Sequence, residues 1–120
     1  YCDLDHLKYI NDSHGHAEGD IYICSFVECA QQFIREEDIF ARLGGDEFCI
    51  IFRDCYQDVI EQRMSEIRQA FAQGYSRYSK SFSYGLVQVP EGHGTLSLNE
   101  LMEQADALMY QQKKARRNAR

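Results

Sequence analysis

Four acids stand where a polypeptide could offer oxygen ligands to a hard cation. Asp3 and Asp5 are two residues apart at the end of a short apolar run, so on an extended chain their carboxylates share a face. Asp46 and Glu47 follow the pair Gly44-Gly45 between two further apolar runs. Apolar strands do not accommodate such charges inside, so all four are expected to gather at a sheet edge or mouth. Divalent cations such as Mg²⁺ take oxygen-rich sites of this kind and complete their shells with substrate phosphates. Acids in turns are also common as solvated groups that bind nothing. Gly44-Gly45 has two readings as well: positive φ angles for a tight hairpin, or side chains removed where a ligand approaches the backbone.

Positive charge gathers at the opposite end. The 120 residues carry a net charge of −6, yet Lys113 to Arg120 hold five basic groups and no acid. The preceding 112 residues set eight basic groups against nineteen acids. An acidic body argues against broad binding of DNA or RNA and suits metal cations, or a phosphate ligand drawn to the basic end. With 44% hydrophobic and 27% charged residues the chain has the proportions of one globular domain. No apolar run is long enough to span a membrane, and the opening Tyr1-Cys2-Asp3 is not a signal peptide. The absence of an initiator methionine suggests a fragment of a longer protein. Five cysteines without a Cys-x-x-Cys pair read as reduced thiols in a cytosolic domain, and His14, His16 and Cys24 fit no zinc spacing.

Three apolar stripes of helical period position these groups. The first carries Ile23, Phe26, Val27, Ala30, Phe33 and Ile34 and runs from about Ala17 to Arg35. The second covers Asp58 to Phe71 and ends before Gly74. The third opens after Ser97, an N-cap with Glu100 three residues on, and carries Leu98, Leu101, Met102, Ala105 and Met109. Tyr1–Leu4, Ile39–Leu43, Phe48–Phe52 and Ser81–Val89 have strand character, the middle two as a hairpin and the last stopped by Pro90. The order strand, helix, hairpin, helix, strand, helix predicts an α+β sandwich of the ferredoxin-like or palm type, with helices packed on a mostly antiparallel sheet.

Arg42-Leu43-Gly44-Gly45-Asp46-Glu47-Phe48 resembles the signature hairpin of the GGDEF family, the diguanylate cyclases. Asp3-Leu4-Asp5-His6-Leu7-Lys8-Tyr9-Ile10-Asn11-Asp12, with Gly15-His16 and Gly19-Asp20, resembles the family's first strand and loop. Ser83-Tyr84-Gly85-Leu86 resembles a later strand, and Asp106 to Tyr110 with Lys113, Arg117 and Asn118 resembles the closing helix. The resemblance implies condensation of two GTP into cyclic di-GMP by a homodimer, with Mg²⁺ or Mn²⁺ as cofactor. It implies metal ligation by Asp3, the Leu4 carbonyl and Asp46, and catalytic roles for Asp46 and for Glu47, the latter toward the attacking hydroxyl. Asn11 and Asp20 would read guanine, Gly44 and Gly45 would admit the nucleotide, and Lys113 and Arg117 would hold its outer phosphates. Arg35 and Asp38, with the five residues 39 to 43 between them and Gly44, have the spacing of the family's inhibitory Arg-x-x-Asp site for the product cyclic di-GMP.

By the same resemblance residues 1–120 form one domain that lacks its N-terminal helix and the start of its first strand. A sensory or regulatory domain is expected upstream, and the location is expected to be cytoplasmic, including as the cytoplasmic part of a membrane-bound protein. Leu7, Tyr84 and Arg116 depart from the family pattern; Arg116 stands where a glycine is common, just before Arg117. The alternative function is a noncatalytic receptor for GTP or cyclic di-GMP.

Overall fold

A computed structural model of the chain describes residues 1–73, 76–89 and 96–118. The elements run β1 (Cys2–Leu4), α1 (Leu7–His14), α2 (His16–Gln31), β2 (Ile39–Arg42), β3 (Glu47–Ile51), α3 (Gln57–Ala72), β4 (Phe82–Tyr84) and α4 (Leu98–Asn118). The four strands form one sheet in the order β2-β3-β1-β4, and every pairing is antiparallel. This is the expected α+β arrangement.

The helix count differs from the sequence reading, which places three. α1 escapes it because Ile10 is its one buried residue, so no apolar stripe develops over its eight positions. α2 stops at Gln31 although Phe33 and Ile34 still pack on the core. The chain leaves the helix through a tight turn, with Phe33 N–H donating to the Ala30 carbonyl at 3.0 Å, and so preserves apolar spacing past the helix end. At α4 the predicted cap is present: Ser97 Oγ accepts the Glu100 N–H at 3.1 Å. Gly74 and Pro90, used above as stops, lie outside the described residues.

β1 is central and short. Cys2 pairs with Phe48 and with Tyr84, Asp3 with Glu47 and with Ser83, and Leu4 with Phe82. The pleat therefore sends Cys2, Leu4, Phe48 and Phe82 to one face and Asp3, Glu47 and Ser83 to the other. The first face is the core. Phe26 of α2 meets Phe48 and Phe82 with ring centroids 5.0 Å apart and Phe71 of α3 at 5.5 Å. Ile60, Met64 and Ile67 complete the buried face of α3. No helix among the described residues is long and apolar enough to cross a membrane.

The expected strand Ser81–Val89 is laddered only over Phe82–Tyr84. Tyr1 and Gly85 exchange the last backbone bonds, at 2.9 and 3.1 Å, and beyond them residues 86–89 line a cavity of about 640 Å³ facing Cys49–Phe52. Ladder requires a neighbour, and none of the described strands lies there.

Gly85 fixes how closely α4 approaches the sheet. A Cβ at this position would stand 1.8 Å from the Ala105 carbonyl oxygen and 2.6 Å from the Met109 nitrogen, both backbone atoms that cannot step aside. Gly85→Ala should therefore destabilise the domain by roughly 1–3 kcal/mol. Urea unfolding checks this, and an unchanged midpoint would show that the helix does not press on this residue.

Candidate functional site

The hairpin between β2 and β3 carries the second pair of acids, and its shape is held by Arg42. The Arg42 guanidinium donates to the Gly44 carbonyl and to the Gly45 carbonyl, each at 2.9 Å. Leu43 N–H donates to the Glu47 carbonyl at 2.8 Å. Neither Gly44 nor Gly45 adopts a left-handed φ; Gly15 is the one glycine that does so among the described residues. The conformational reading of the pair is thereby corrected, because the arginine staple closes the turn without it. What the pair provides is room: nothing lies within 4 Å of a Cβ built on Gly45, and only the Glu47 side chain lies near one on Gly44.

β1 brings the first acid to the same place. Leu4 N–H donates to the Asp46 carbonyl at 2.9 Å, which fastens the strand end to the hairpin. Asp3, Asp46 and Glu47 can each present an oxygen within 4.8 Å of the other two. Asp3 Oδ1 is buried and has no hydrogen-bond partner. A buried, unpartnered carboxylate oxygen on one of three clustered acids, with an all-oxygen donor set, fits a hard divalent cation. Burial first, then the Asp46 carboxylate, pushes the Asp3 carboxyl up to about 6, while Lys113 acts against the rise. Lys113 reaches in from α4, with Nζ 3.4 Å from Asp3 Oδ2 and 3.9 Å from Asp5 Oδ1. Helix and sheet thus place acid and base of the two chain ends side by side.

Asp5 departs from the expectation that all four acids gather at the mouth. It shares the face of Asp3 and lies near it, yet it is only 5% exposed. Its oxygens accept hydrogen bonds from Ser81 Oγ at 2.9 Å, Ser83 Oγ at 3.0 Å and Arg116 Nη1 at 3.1 Å. Two hydroxyls and a guanidinium supply what a buried carboxylate requires. Residue types alone could not identify those serines as its partners, because they come 76 and 78 positions later.

Asn11 is half-buried on α1 and packs against α2 at Gly19. A Cβ there would fall 1.8 Å from Asn11 Oδ1, so the glycine makes space for the amide. Asp20 follows on α2 with an exposed side chain. Arg117 is in α4, and its side chain lies outside the described part of the structure.

Arg35 and Asp38 form a tight unit. Arg35 Nε and Nη2 donate to the Asp38 carboxylate at 3.1 and 2.8 Å, and the Arg35 and Arg53 backbone N–H groups add bonds at 2.9 and 3.2 Å. Arg35 also donates to the Arg53 carbonyl. Arg63 of α3, which the sequence reading did not single out, lies 3.8 Å from Asp38, and its Nη1 is buried without a hydrogen-bond partner. Its position within the apolar period of α3 offered no signal, since a polar residue on a helix flank is unremarkable. The Asp38 side chain is fully enclosed by these groups.

The family model described as "Diguanylate cyclase, GGDEF domain" matches residues 1–119. The probable diguanylate cyclase DgcJ of Escherichia coli is 34% identical over 108 residues, covering 90% of this chain and 21% of its own length. The bifunctional diguanylate cyclase/cyclic di-GMP phosphodiesterase MucR of Pseudomonas aeruginosa is 34% identical over 122 residues, covering 98% of this chain and 18% of its own length. The chain thus spans about a fifth of these curated relatives. Among solved structures, the GGDEF domain of DgcB from Caulobacter crescentus in complex with c-di-GMP superposes with a TM-score of 0.86 at 29% identity, covering 95% of this chain and 70% of that one.

The Arg35 contacts hold the Asp38 carboxyl down at about 2, below the ordinary carboxylate value of about 4. A depressed folded value means that the charged form stabilises the fold above about pH 4 and that this contribution is lost as the pH falls toward 2. Asp38→Asn should lower the melting temperature at pH 7, with the gap to the unaltered chain closing between pH 4 and 2. Thermal denaturation across that range checks it; a gap independent of pH would mean that the charge of Asp38 contributes nothing.

Proposed function

The chain belongs to the GGDEF family of diguanylate cyclases, and on that premise we propose that it condenses two GTP into cyclic di-GMP with release of two pyrophosphates. The observation that carries this reading is the meeting of Asp3, Asp46 and Glu47 within 4.8 Å, beside an unpartnered Asp3 oxygen and the Lys113 ammonium. Two domains in a homodimer each bring one nucleotide, and the 3′-hydroxyl of one attacks the α-phosphorus of the other. The bond to pyrophosphate breaks as the new ester forms, and the same exchange in the opposite sense closes the ring. Phosphoryl transfer of this kind depends on positioning and on neutralising phosphate oxygens.

Asp3, Asp46 and the Leu4 carbonyl would hold Mg²⁺ or Mn²⁺, which when bound supplies positive charge to the phosphate oxygens. Glu47 stands at the hairpin tip to accept the proton of the attacking hydroxyl. Lys113 exchanges Asp3 for the outer phosphates, with Arg117 beside it in the last turns of α4. Asp20 accepts the guanine ring N–H and exocyclic amine, which adenine does not offer together, and Asn11 is fixed next to it by Gly19. Gly45, with open space above it, admits the nucleotide to the backbone. GTP chemistry places the domain in the cytoplasm, under control of a sensory or regulatory region elsewhere in its protein.

Product analysis by chromatography after incubating the dimeric protein with GTP and Mg²⁺ tests the reading. Cyclic di-GMP is expected, with a fall on the order of a hundredfold or more for Asp46→Ala. GTP binding without product would instead mark a receptor module. An Asp46→Ala variant with undiminished turnover would remove that residue from the metal site.

Arg35 and Asp38, with Arg63 alongside, would receive the product as an inhibitor. Asp38 is enclosed by arginines, so the ligand must draw Arg35 away, and a phosphate of the dinucleotide offers Arg35 a replacement anion. Arg35→Ala should leave the initial rate near that of the unaltered protein and raise the product concentration needed for half inhibition by roughly tenfold or more. Progress curves with added cyclic di-GMP check it, and unchanged inhibition would place the inhibitory site elsewhere.

A further inference from the structure

β4 is the outermost strand of the sheet, so the outward backbone groups of Phe82 and Tyr84 have no strand to pair with. α4 supplies the partners instead. Gln112 Oε1 accepts the Tyr84 N–H at 2.9 Å, and Arg116 Nη1 donates to the Phe82 carbonyl at 2.6 Å. Four residues apart, they lie on one stripe of the helix. The same Arg116 nitrogen also donates to Asp5 Oδ2 at 3.1 Å. Lys113 stands between the two latches, one turn from Arg116, with its ammonium nearer to Asp3 than to Asp5.

The charges in this corner are unequal. Among the described residues, Asp3, Asp5, Asp46 and Glu47 form ion pairs with Lys113 and Arg116, while Arg68 of α3, which also donates to the Phe82 carbonyl, stands farther from Asp5. Asp5 is the most enclosed of the four, and a buried carboxylate draws the nearest cation to itself. With Arg116 in place, that demand is met by a guanidinium and two serine hydroxyls. Without it, Lys113 is the remaining described cation in ion-pair range of Asp5, already 3.9 Å away, while Arg68 is held by the Phe82 carbonyl and Gln112. We infer that Arg116 is a positioning residue: by occupying Asp5 it leaves the Lys113 ammonium free for the outer phosphates of the nucleotide. The inference rests on the GTP reading above.

The test uses 3′-deoxy-GTP, which lacks the attacking hydroxyl and so reports binding without turnover, titrated calorimetrically with Mg²⁺ present. Arg116→Gln should weaken binding by roughly tenfold in the unaltered background and by less than about twofold when Lys113→Gln is already present, because the effect passes through Lys113. Arg116→Lys keeps a cation facing Asp5 and should bind within about threefold of the unaltered chain. Arg116→Met, which keeps the aliphatic stem, should lose as much as Arg116→Gln and replaces it if that variant does not fold. Equal affinity for Arg116→Gln and the unaltered chain would overturn the assignment, as would an equal loss in both Lys113 backgrounds, the mark of a loosened helix. No binding by the unaltered chain would overturn the GTP reading itself, and this assignment with it.

Discussion

A carboxylate enclosed at the end of a central strand must be satisfied from several directions, and Asp5 is the group on which the domain converges. Left unpaired, such a charge costs roughly several kcal/mol. Its two oxygens draw in Ser81 and Ser83 from the last strand segment and Arg116 from the last helix. Its backbone carbonyl lies 2.8 Å from the Tyr22 hydroxyl of α2, which also sits 2.7 Å from the Ser81 carbonyl and accepts the Ser81 N–H. Asp5 N–H donates to Ser81 as well. One residue therefore ties together strands from both ends of the chain and a helix from each half. Polar networks of this kind set register as well as holding charge, since a slip of β4 by one residue would take the serine hydroxyls to the opposite face.

The functional corner inherits its geometry from that anchoring. With β1 tied at Asp5 on one side and through Leu4 N–H to the hairpin on the other, Asp3 has little choice but to face Asp46 and Glu47. The apolar face opposite is filled by the Phe26, Phe48, Phe71 and Phe82 cluster, so the sheet cannot turn over to hide the acids. Repulsion among the carboxylates is tolerated because burial and Asp46 raise the Asp3 carboxyl toward neutrality and Lys113 offsets the remainder. A site built on acids held against their own repulsion is prepared to take up positive charge.

Two kinds of arginine share this small domain. Arg42 and Arg116 address backbone carbonyls, closing a turn in one case and an open strand edge in the other. Arg35 and Arg63 address a single enclosed aspartate. A planar, forked donor can do both because it makes several directed bonds at once, which an ammonium cannot. The chain carries a net charge of −6, and these guanidiniums are engaged by groups of the chain itself.

Residue types and spacing were sufficient for the fold class, three of the four helices, the hairpin and the gathering of Asp3, Asp46 and Glu47 at one edge of the sheet. Periodic burial leaves a stripe wherever a helix packs, and a glycine-acid turn between apolar runs has few other readings. The same logic could not find α1, which buries one residue, nor the end of α2, where a tight turn keeps apolar spacing without helix. It could not tell Asp3 from Asp5, identical in type and two positions apart. Of the two, the family resemblance names Asp3 alone as a ligand, and the tertiary structure supplies the physical reason. Chain segments some eighty and a hundred and ten residues away supply Asp5 with hydroxyls and a guanidinium, and leave Asp3 with an oxygen unpaired beside the hairpin. A local sequence records what each residue can bond to; which of those bonds is available depends on distant segments that folding brings within 3 Å.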